Sequence, residues 1–212
     1  MELGTLSAIR RYPVKSLRGE LLDEVAVLPQ GVEGDRVRAM IVREGHARTG
    51  KPYRGKENDR LHLSGDPAVG AERAHERGVQ VELEERRDEP FVDDAPVSII
   101  VDKWLRGLSG YVGYDVGFER FRPNFFIKSR EGFSLTEEAM TGRELALGDV
   151  LLRVRYPIER CVVTTYDQAG GEGDLEILNY VVRERSTWMG IYCDVLRAGI
   201  VRIGDSFSLV ER

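Results

Sequence analysis

The sequence predicts a mainly β fold with a few helices, rich in barrel-type sheet. Two observations carry this. Short β-branched or alternating runs recur along the chain with glycine-rich turns between them, and only two or three stretches show helical spacing. The chain has 212 residues, 42% of them hydrophobic, enough for a sizeable core in one all-β domain or two small fused ones.

Taken in order, Leu3 to Ile9 has strand character and runs into Arg10-Arg11-Tyr12-Pro13-Val14-Lys15-Ser16-Leu17-Arg18. Pro13 lacks a backbone donor and marks an edge or a strand end. Arg10, Arg11, Lys15 and Arg18 form either a solvated basic face or an anion cradle. Leu22 to Leu28 alternates, with Val25 and Val27 on one face. Pro29 to Arg36 is a turn-rich connector, and Val37 to Val42 a strand. Thr49 to Arg60 is nearly devoid of apolar residues, and Arg48 to Lys56 reads as a mobile surface loop: a lid, an ordered arm or a plain solvated excursion. Asp66-Pro67 reads as a turn. Val79 to Leu83 is a strand, followed by a charged hinge over Glu84 to Glu89.

From Pro96, the residues Val97, Ile100, Val101, Trp104, Leu105 and Leu108 recur at helical spacing, predicting a helix ended by Gly110 with Trp104 in the core. Phe125 to Lys128 is a buried-looking strand after Arg122-Pro123-Asn124. Glu137 to Met140 allows one helical turn, and Val150 to Val154 alternates. Val162, Val163, Thr164 and Thr165 read as a strand that starts at Cys161. Asp174 caps a helix whose apolar face holds Leu175, Leu178, Val181 and Val182. Trp188 to Leu196 is a strand, and Ala198 to Phe207 a turn between closing strands.

Charge and cysteine usage narrow the function. The net charge of −5 argues against a duplex-binding surface. No window approaches the roughly 20 apolar residues of a membrane span, and Met1 to Arg11 has no apolar run of signal-peptide type, so a cytoplasmic protein is expected. Cys161 and Cys193 are the only cysteines, too few for a disulfide framework and in keeping with a reducing compartment. Lys occurs only at positions 15, 51, 56, 103 and 128. The rest of the 31 basic residues are Arg, whose forked donors suit anions. Cys161 follows Arg160, and a guanidinium beside a thiol favours the thiolate, which attacks electrophiles or binds soft metals. Read from these residues alone, Cys161 is open to being a small core hydrophobe, as most lone cysteines are. Cys193 lacks such a setting and reads as core. His46, His62 and His75 show no paired metal spacing.

Four separated motifs then fit one family. Tyr12-Pro13-Val14-Lys15-Ser16, Gly34-Asp35-Arg36, Arg120-Phe121-Arg122-Pro123-Asn124 and Arg160-Cys161-Val162-Val163-Thr164-Thr165-Tyr166-Asp167 occur in this order, with Gly190-Ile191-Tyr192 and Gly204-Asp205 closing the chain. The set resembles the MOSC-domain family, named for the C-terminal domain of molybdenum cofactor sulfurase and including the mitochondrial amidoxime reducing component. The resemblance implies a barrel-centred β fold over 1–212 as a single unit. A candidate sub-domain hinge lies near 84–95, between an N-terminal β part (1–90) and a cofactor-binding barrel part (91–212). It implies molybdenum cofactor (molybdopterin) in a cleft, with Cys161 as the protein thiolate on the metal, a soft donor for a soft centre.

By the same resemblance Lys15, Ser16, Arg36, Arg122 and Asn124 hold the pterin and its phosphate. Arg160 stabilises the sulfur, Thr164 and Thr165 lie beside the metal, and Asp167 is a turn-fixing carboxylate behind them. Arg36 is alternatively a partner for Asp35 or Glu33. The implied activity is an oxidoreductase acting on small N-hydroxylated substrates. The chain shows no flavin, nicotinamide or iron–sulfur fingerprint, so electrons come from separate redox proteins. The alternative is a cofactor-binding or sulfur-carrier module without turnover. One departure is the charged stretch Arg48 to Leu63, where longer relatives carry substrate-facing surface; it leaves the substrate open.

Overall fold

The computed structural model describes residues 1–54 and 60–210. Its organising feature is a ring of hydrogen-bonded strands. The first, β1 (Glu2–Arg11), alternates buried Leu6 with exposed neighbours and pairs antiparallel with both β8 (Phe125–Ser129) and β13 (Ser206–Leu209). From β13 the ring runs through β9 (Glu144–Leu147), β10 (Val150–Glu159), β11 (Trp188–Arg197) and β7 (Val97–Val101) back to β8, which makes a closed seven-stranded barrel. Closure removes the open edges that a free sheet would expose. Its core is filled by Leu6, Ile99, Phe125, Leu152, Ile191 and Phe207, each at most 1% exposed.

All ring pairs are antiparallel except β7–β8. A parallel pair needs a crossover, here supplied by α2 (Asp102–Val112). This corrects the single helix expected from Pro96 onward. Val97–Val101 is buried at all five positions, as a strand covered on both faces must be. Helical spacing and a continuous apolar run are indistinguishable over so short a window, and the ladder to β8 and β11 decides it. The helix starts at Asp102 and ends at Gly113 rather than Gly110. Trp104 is core as expected, its indole N–H donating to the Leu135 carbonyl at 2.9 Å.

The remaining strands flank the barrel. β2 (Glu20–Leu22) extends from β1; β3 (Glu24–Leu28) lies between β4 (Gly31–Val32) and β12 (Gly199–Arg202). Ala198–Phe207 is thus not one turn but contains a strand. β5 (Arg38–Glu44) and β6 (Gln80–Glu85) form a hairpin-like sheet backed by α1 (Pro67–Glu76). A second small core of Val14, Leu17, Met40, Tyr53, Leu61 and Val79 lies beneath them. Asp66-Pro67 is the start of α1 and not a turn: the Asp66 carboxylate accepts from Ala68 N–H, and Pro67 occupies a first-turn position that needs no donor. The first residues of the expected charged hinge, Glu84 and Glu85, belong to β6.

The polar stretch after β5 is not a plain solvated loop over Arg48–Arg54. Gly50 and Tyr53 donate to the Val42 and Met40 carbonyls at 2.8 and 2.7 Å, and Tyr53 is 1% exposed. The part of that reading falling on 55–59 lies outside the described residues. α3 (Glu137–Met140) is the expected single turn. α4 (Leu175–Glu184) begins at Asp174 as expected but buries Ile177 and Val181, while Leu175 and Val182 point outward at 63% and 50% exposure. No helix among the described residues is long and apolar enough to cross a membrane.

Candidate functional site

Four segments meet at one end of the barrel: the chain leaving β1, the turn before β5, the link from α2 to β8, and the link from β10 to α4. They enclose a cavity of about 190 Å³. Eight predicted residues line it: Lys15, Ser16, Arg36, Arg122, Asn124, Arg160, Cys161 and Thr164. Thr165 and Asp167 do not. Three of the eight, Ser16, Arg36 and Arg122, have positive φ (72°, 51° and 53°), a left-handed backbone that non-glycine residues adopt at a cost. Such strain persists where surrounding structure imposes it, most often at functional sites.

Cys161 is half-buried and lies two residues beyond β10. β10 shifts register against β11 on both sides of Pro157, and these irregularities end the strand at the cavity. The expected strand from Val162 to Thr165 is instead a turn of 3₁₀ helix. Thr164 Oγ1 donates to the Cys161 carbonyl at 3.0 Å and Thr165 Oγ1 to the Val162 carbonyl at 2.7 Å. These local hydroxyl bonds compete with a strand ladder and override the β-branched preference. They also explain Thr165: its hydroxyl is committed and it is 2% exposed. Asp167 fixes the following turn, accepting from Ala169 N–H at 3.0 Å and Gly171 N–H at 2.8 Å, bonds that hold its pKa below the usual carboxylate value.

The basic residues divide into paired and unpaired. Lys15 Nζ donates to the Phe91 carbonyl at 2.8 Å and to Asp93 at 2.5 Å. Arg36 pairs with buried Asp35. Burial is the largest influence and opposes its charge, but Asp35, Asp93 and Tyr12 together outweigh it and raise its pKa. Arg122 and Arg160 have no carboxylate partner among the described residues. Arg122 donates to the Leu17 carbonyl at 2.8 Å and lies 4.2 Å from the Tyr12 ring centroid. Arg160 donates to the Met189 and Phe121 carbonyls at 2.7 and 2.8 Å, and its remaining Nη2 is buried without an acceptor. Burial pushes both guanidinium groups down to about 10. They stay cationic at neutral pH, and a buried cation without a counter-charge is costly. Gly190 makes room for Arg160: φ is +93°, and a Cβ there would stand 2.8 Å from the Ile99 carbonyl oxygen and 3.2 Å from Arg160 Nη2.

Asn124 lines the cavity, but its amide is mostly engaged in the fold. Oδ1 accepts from Ser98 N–H and Oγ–H at 3.0 and 2.9 Å, joining the starts of β7 and β8. Arg54, His62, Asp93, Arg120 and Tyr192 also line the site and were not anticipated. Arg120 stands inside a recognised motif, next but one to Arg122, and could have been found there. It donates to the Thr165 and Tyr166 carbonyls at 3.1 and 2.6 Å, bracing the Cys161 turn. Asp93 and Tyr192 carried no local signal. His62 Nε2 meets the Asp167 carbonyl at 2.9 Å and its ring stacks on Tyr166. A carbonyl only accepts, so Nε2 carries the proton.

Fold and site together define a closed seven-stranded β barrel with a basic cavity beside a half-buried thiol at one end. A profile of the MOSC domain matches residues 86–208, more than half of the chain, and the chain belongs to the MOSC-domain family. It is 30% identical over 128 residues to mitochondrial amidoxime reducing component 2 of Rattus norvegicus, covering 54% of this chain and 37% of that protein. It is 31% identical over 104 residues to molybdenum cofactor sulfurase of Drosophila mojavensis, covering 48% and 13%. The matches thus span well under two thirds of these curated relatives. Among solved structures, the YUAD protein from Bacillus subtilis superposes with a TM-score of 0.56 at 16% identity over 98% of this chain and 94% of that one, a likeness in fold.

Proposed function

We propose that the chain binds the molybdenum cofactor in this cavity and uses it to reduce small N-hydroxylated compounds. One observation carries the reading. Six basic side chains, Lys15, Arg36, Arg54, Arg120, Arg122 and Arg160, line a cavity that also holds Cys161, in a chain with net charge −5. Only Asp93 and Glu159 oppose them in the lining. The site therefore fits an anionic ligand that also presents a thiophilic centre. Among the described residues no group of three or more His, Cys, Asp or Glu could hold a metal ion, so a metal at Cys161 needs further donors from its own ligand.

The residues divide the work as follows. Cys161 offers the sulfur donor, beside Arg160, whose hydrogen bonds go to backbone. Arg122 and Arg36 offer forked donors for a phosphate, with Lys15 as a point charge. Asn124 stiffens the floor of the cavity through Ser98. When bound, the cofactor would supply the two-electron centre for cleavage of an N–O bond. Among the described residues no group of three or more His, Cys, Asp or Glu comes together that could hold a metal ion, and the reading takes its electrons from separate redox proteins. Similarity to both an amidoxime reducing component and a cofactor sulfurase supports the cofactor; the sulfurase similarity also keeps a carrier role without turnover as the second reading.

The test is purification from a host that makes the cofactor, with Cys161→Ala alongside. The wild type should carry stoichiometric molybdenum and oxidise an artificial donor with benzamidoxime. Cys161→Ala should lose the metal while its stability changes by less than about 1 kcal/mol, because the half-buried thiol adds little packing and the Thr164 bonds go to the Cys161 carbonyl. Metal content unchanged by the substitution would remove the ligand role. Bound cofactor that never turns over would favour the carrier.

A further inference from the structure

A second cavity, of about 520 Å³, lies against the first and is lined by the neighbouring residues of the same segments. Arg18 lies two residues after Ser16, Leu63 follows His62, Glu119 precedes Arg120, and Gln168 follows the Cys161 turn; Arg122 lines both cavities. Its charge is again lopsided, with Arg10, Arg18 and Arg122 against Glu119 alone. None of the three guanidinium groups is well neutralised. Arg18 is exposed and its side chain has no hydrogen-bond or ion-pair partner among the described residues. Arg10 reaches Glu119 only at 3.9 Å and leaves its Nε without an acceptor. Leu63 and Ala169 supply an apolar wall.

We propose that this second cavity is an anion subsite for the phosphate of a nucleotide, which faces Arg18, Arg10 and Arg122 while the organic part lies against Leu63 and Ala169. Forked guanidinium donors recognise a phosphate bidentately, and three of them around one cavity leave a net positive field after Glu119 is counted. The inference does not rest on the cofactor reading, since it uses a different cavity and would stand if the first held another anion. The phosphate has two sources of the same chemistry: a free nucleoside monophosphate, or a nucleotide extension of a ligand seated in the first cavity, reaching past Arg122.

The experiment is amide chemical-shift mapping on the full-length chain titrated with adenosine monophosphate, in wild type, Arg18→Glu and Lys15→Ala. Saturable shifts at Gly19 and Ala169 are expected, weakened about tenfold by Arg18→Glu and unchanged by Lys15→Ala. Shifts confined to Ala95 and Val163 of the first cavity, or shifts at Gly19 and Ala169 indifferent to Arg18→Glu, would overturn the assignment. Acid denaturation of protein from a cofactor-producing host separates the sources. Nucleotide released in proportion to molybdenum supports the subsite as the seat of an extended ligand. Titratable binding by protein that releases none supports it as a site for a free ligand.

Discussion

Arg122 is the residue at which folding and binding should pull in opposite directions. Its pKa of about 10, against an ordinary 12.5, corresponds to roughly 3 kcal/mol of penalty for holding the charge in the folded chain. Arg122→Met removes that penalty and keeps an unbranched apolar stem in the site. It also removes the bond to the Leu17 carbonyl, worth about 1–3 kcal/mol when the acceptor is left buried, and the contact with the Tyr12 ring, worth about 1 kcal/mol. These terms cancel to within about 1 kcal/mol, so the ligand-free melting temperature should move by no more than about 4 °C. Phosphate should then separate the two proteins. At a hundred times its dissociation constant a ligand stabilises the native state by about 2.7 kcal/mol, or roughly 5–10 °C for a chain of this size. Wild type should show that rise and Arg122→Met should lose most of it. The assay is thermal denaturation of the full-length chain, made in a host without the cofactor, with and without inorganic phosphate. A variant melting more than about 10 °C lower without ligand, or one that still gains as much from phosphate as wild type, would refute the claim that Arg122 is held charged for an anion.

Two further outcomes follow from the same geometry. Asn124→Ala strands the Ser98 N–H and Oγ–H inside the β7–β8 junction and should cost about 2–4 kcal/mol in urea denaturation; a loss below about 1 kcal/mol would show that the amide is not a fold staple. Burial lowers the His62 pKa, outweighing the bond to the Asp167 carbonyl, so the folded chain takes up that proton less readily than the unfolded one. Its contribution is complete above the unfolded value of about 6.5 and is lost as pH falls toward the lowered folded value. Wild type should therefore lose more melting temperature between pH 7 and pH 5 than His62→Gln, and equal losses would remove His62 from the acid response.

Much of the fold was legible in the sequence because its signals are local. Val25 and Val27 share one face of β3 and are buried, while Glu24, Ala26 and Leu28 on the other face are less so, and Asp174 caps α4 through the Glu176 N–H. The errors are local ambiguities that distant residues resolve. Val97–Val101 has the composition of a buried helix as much as of a strand, and β8 and β11 settle it from opposite sides. The α1 cap was readable in Asp66-Pro67, a pair that serves turns and helix starts alike. Ile177 and Val181, not Leu175 and Val182, face inward because packing of α4 on α2 and β11, and not apolar count, orients the helix.

For the site, the chain by itself determined which residue types could do the chemistry: one thiol beside an arginine, and guanidinium groups in short motifs. Which of them share a cavity was decided by barrel closure, which brings Lys15, Arg36, Arg122 and Cys161 together from four separate stretches of sequence. Closure also decided which charges go unpaired. Lys15 found Asp93 and Arg36 found Asp35, while Arg122 and Arg160 found only carbonyl groups. Sequence proximity says which charges are present; whether a charge is neutralised depends on what stands within a few ångströms in space, and that distance is set by the whole sheet.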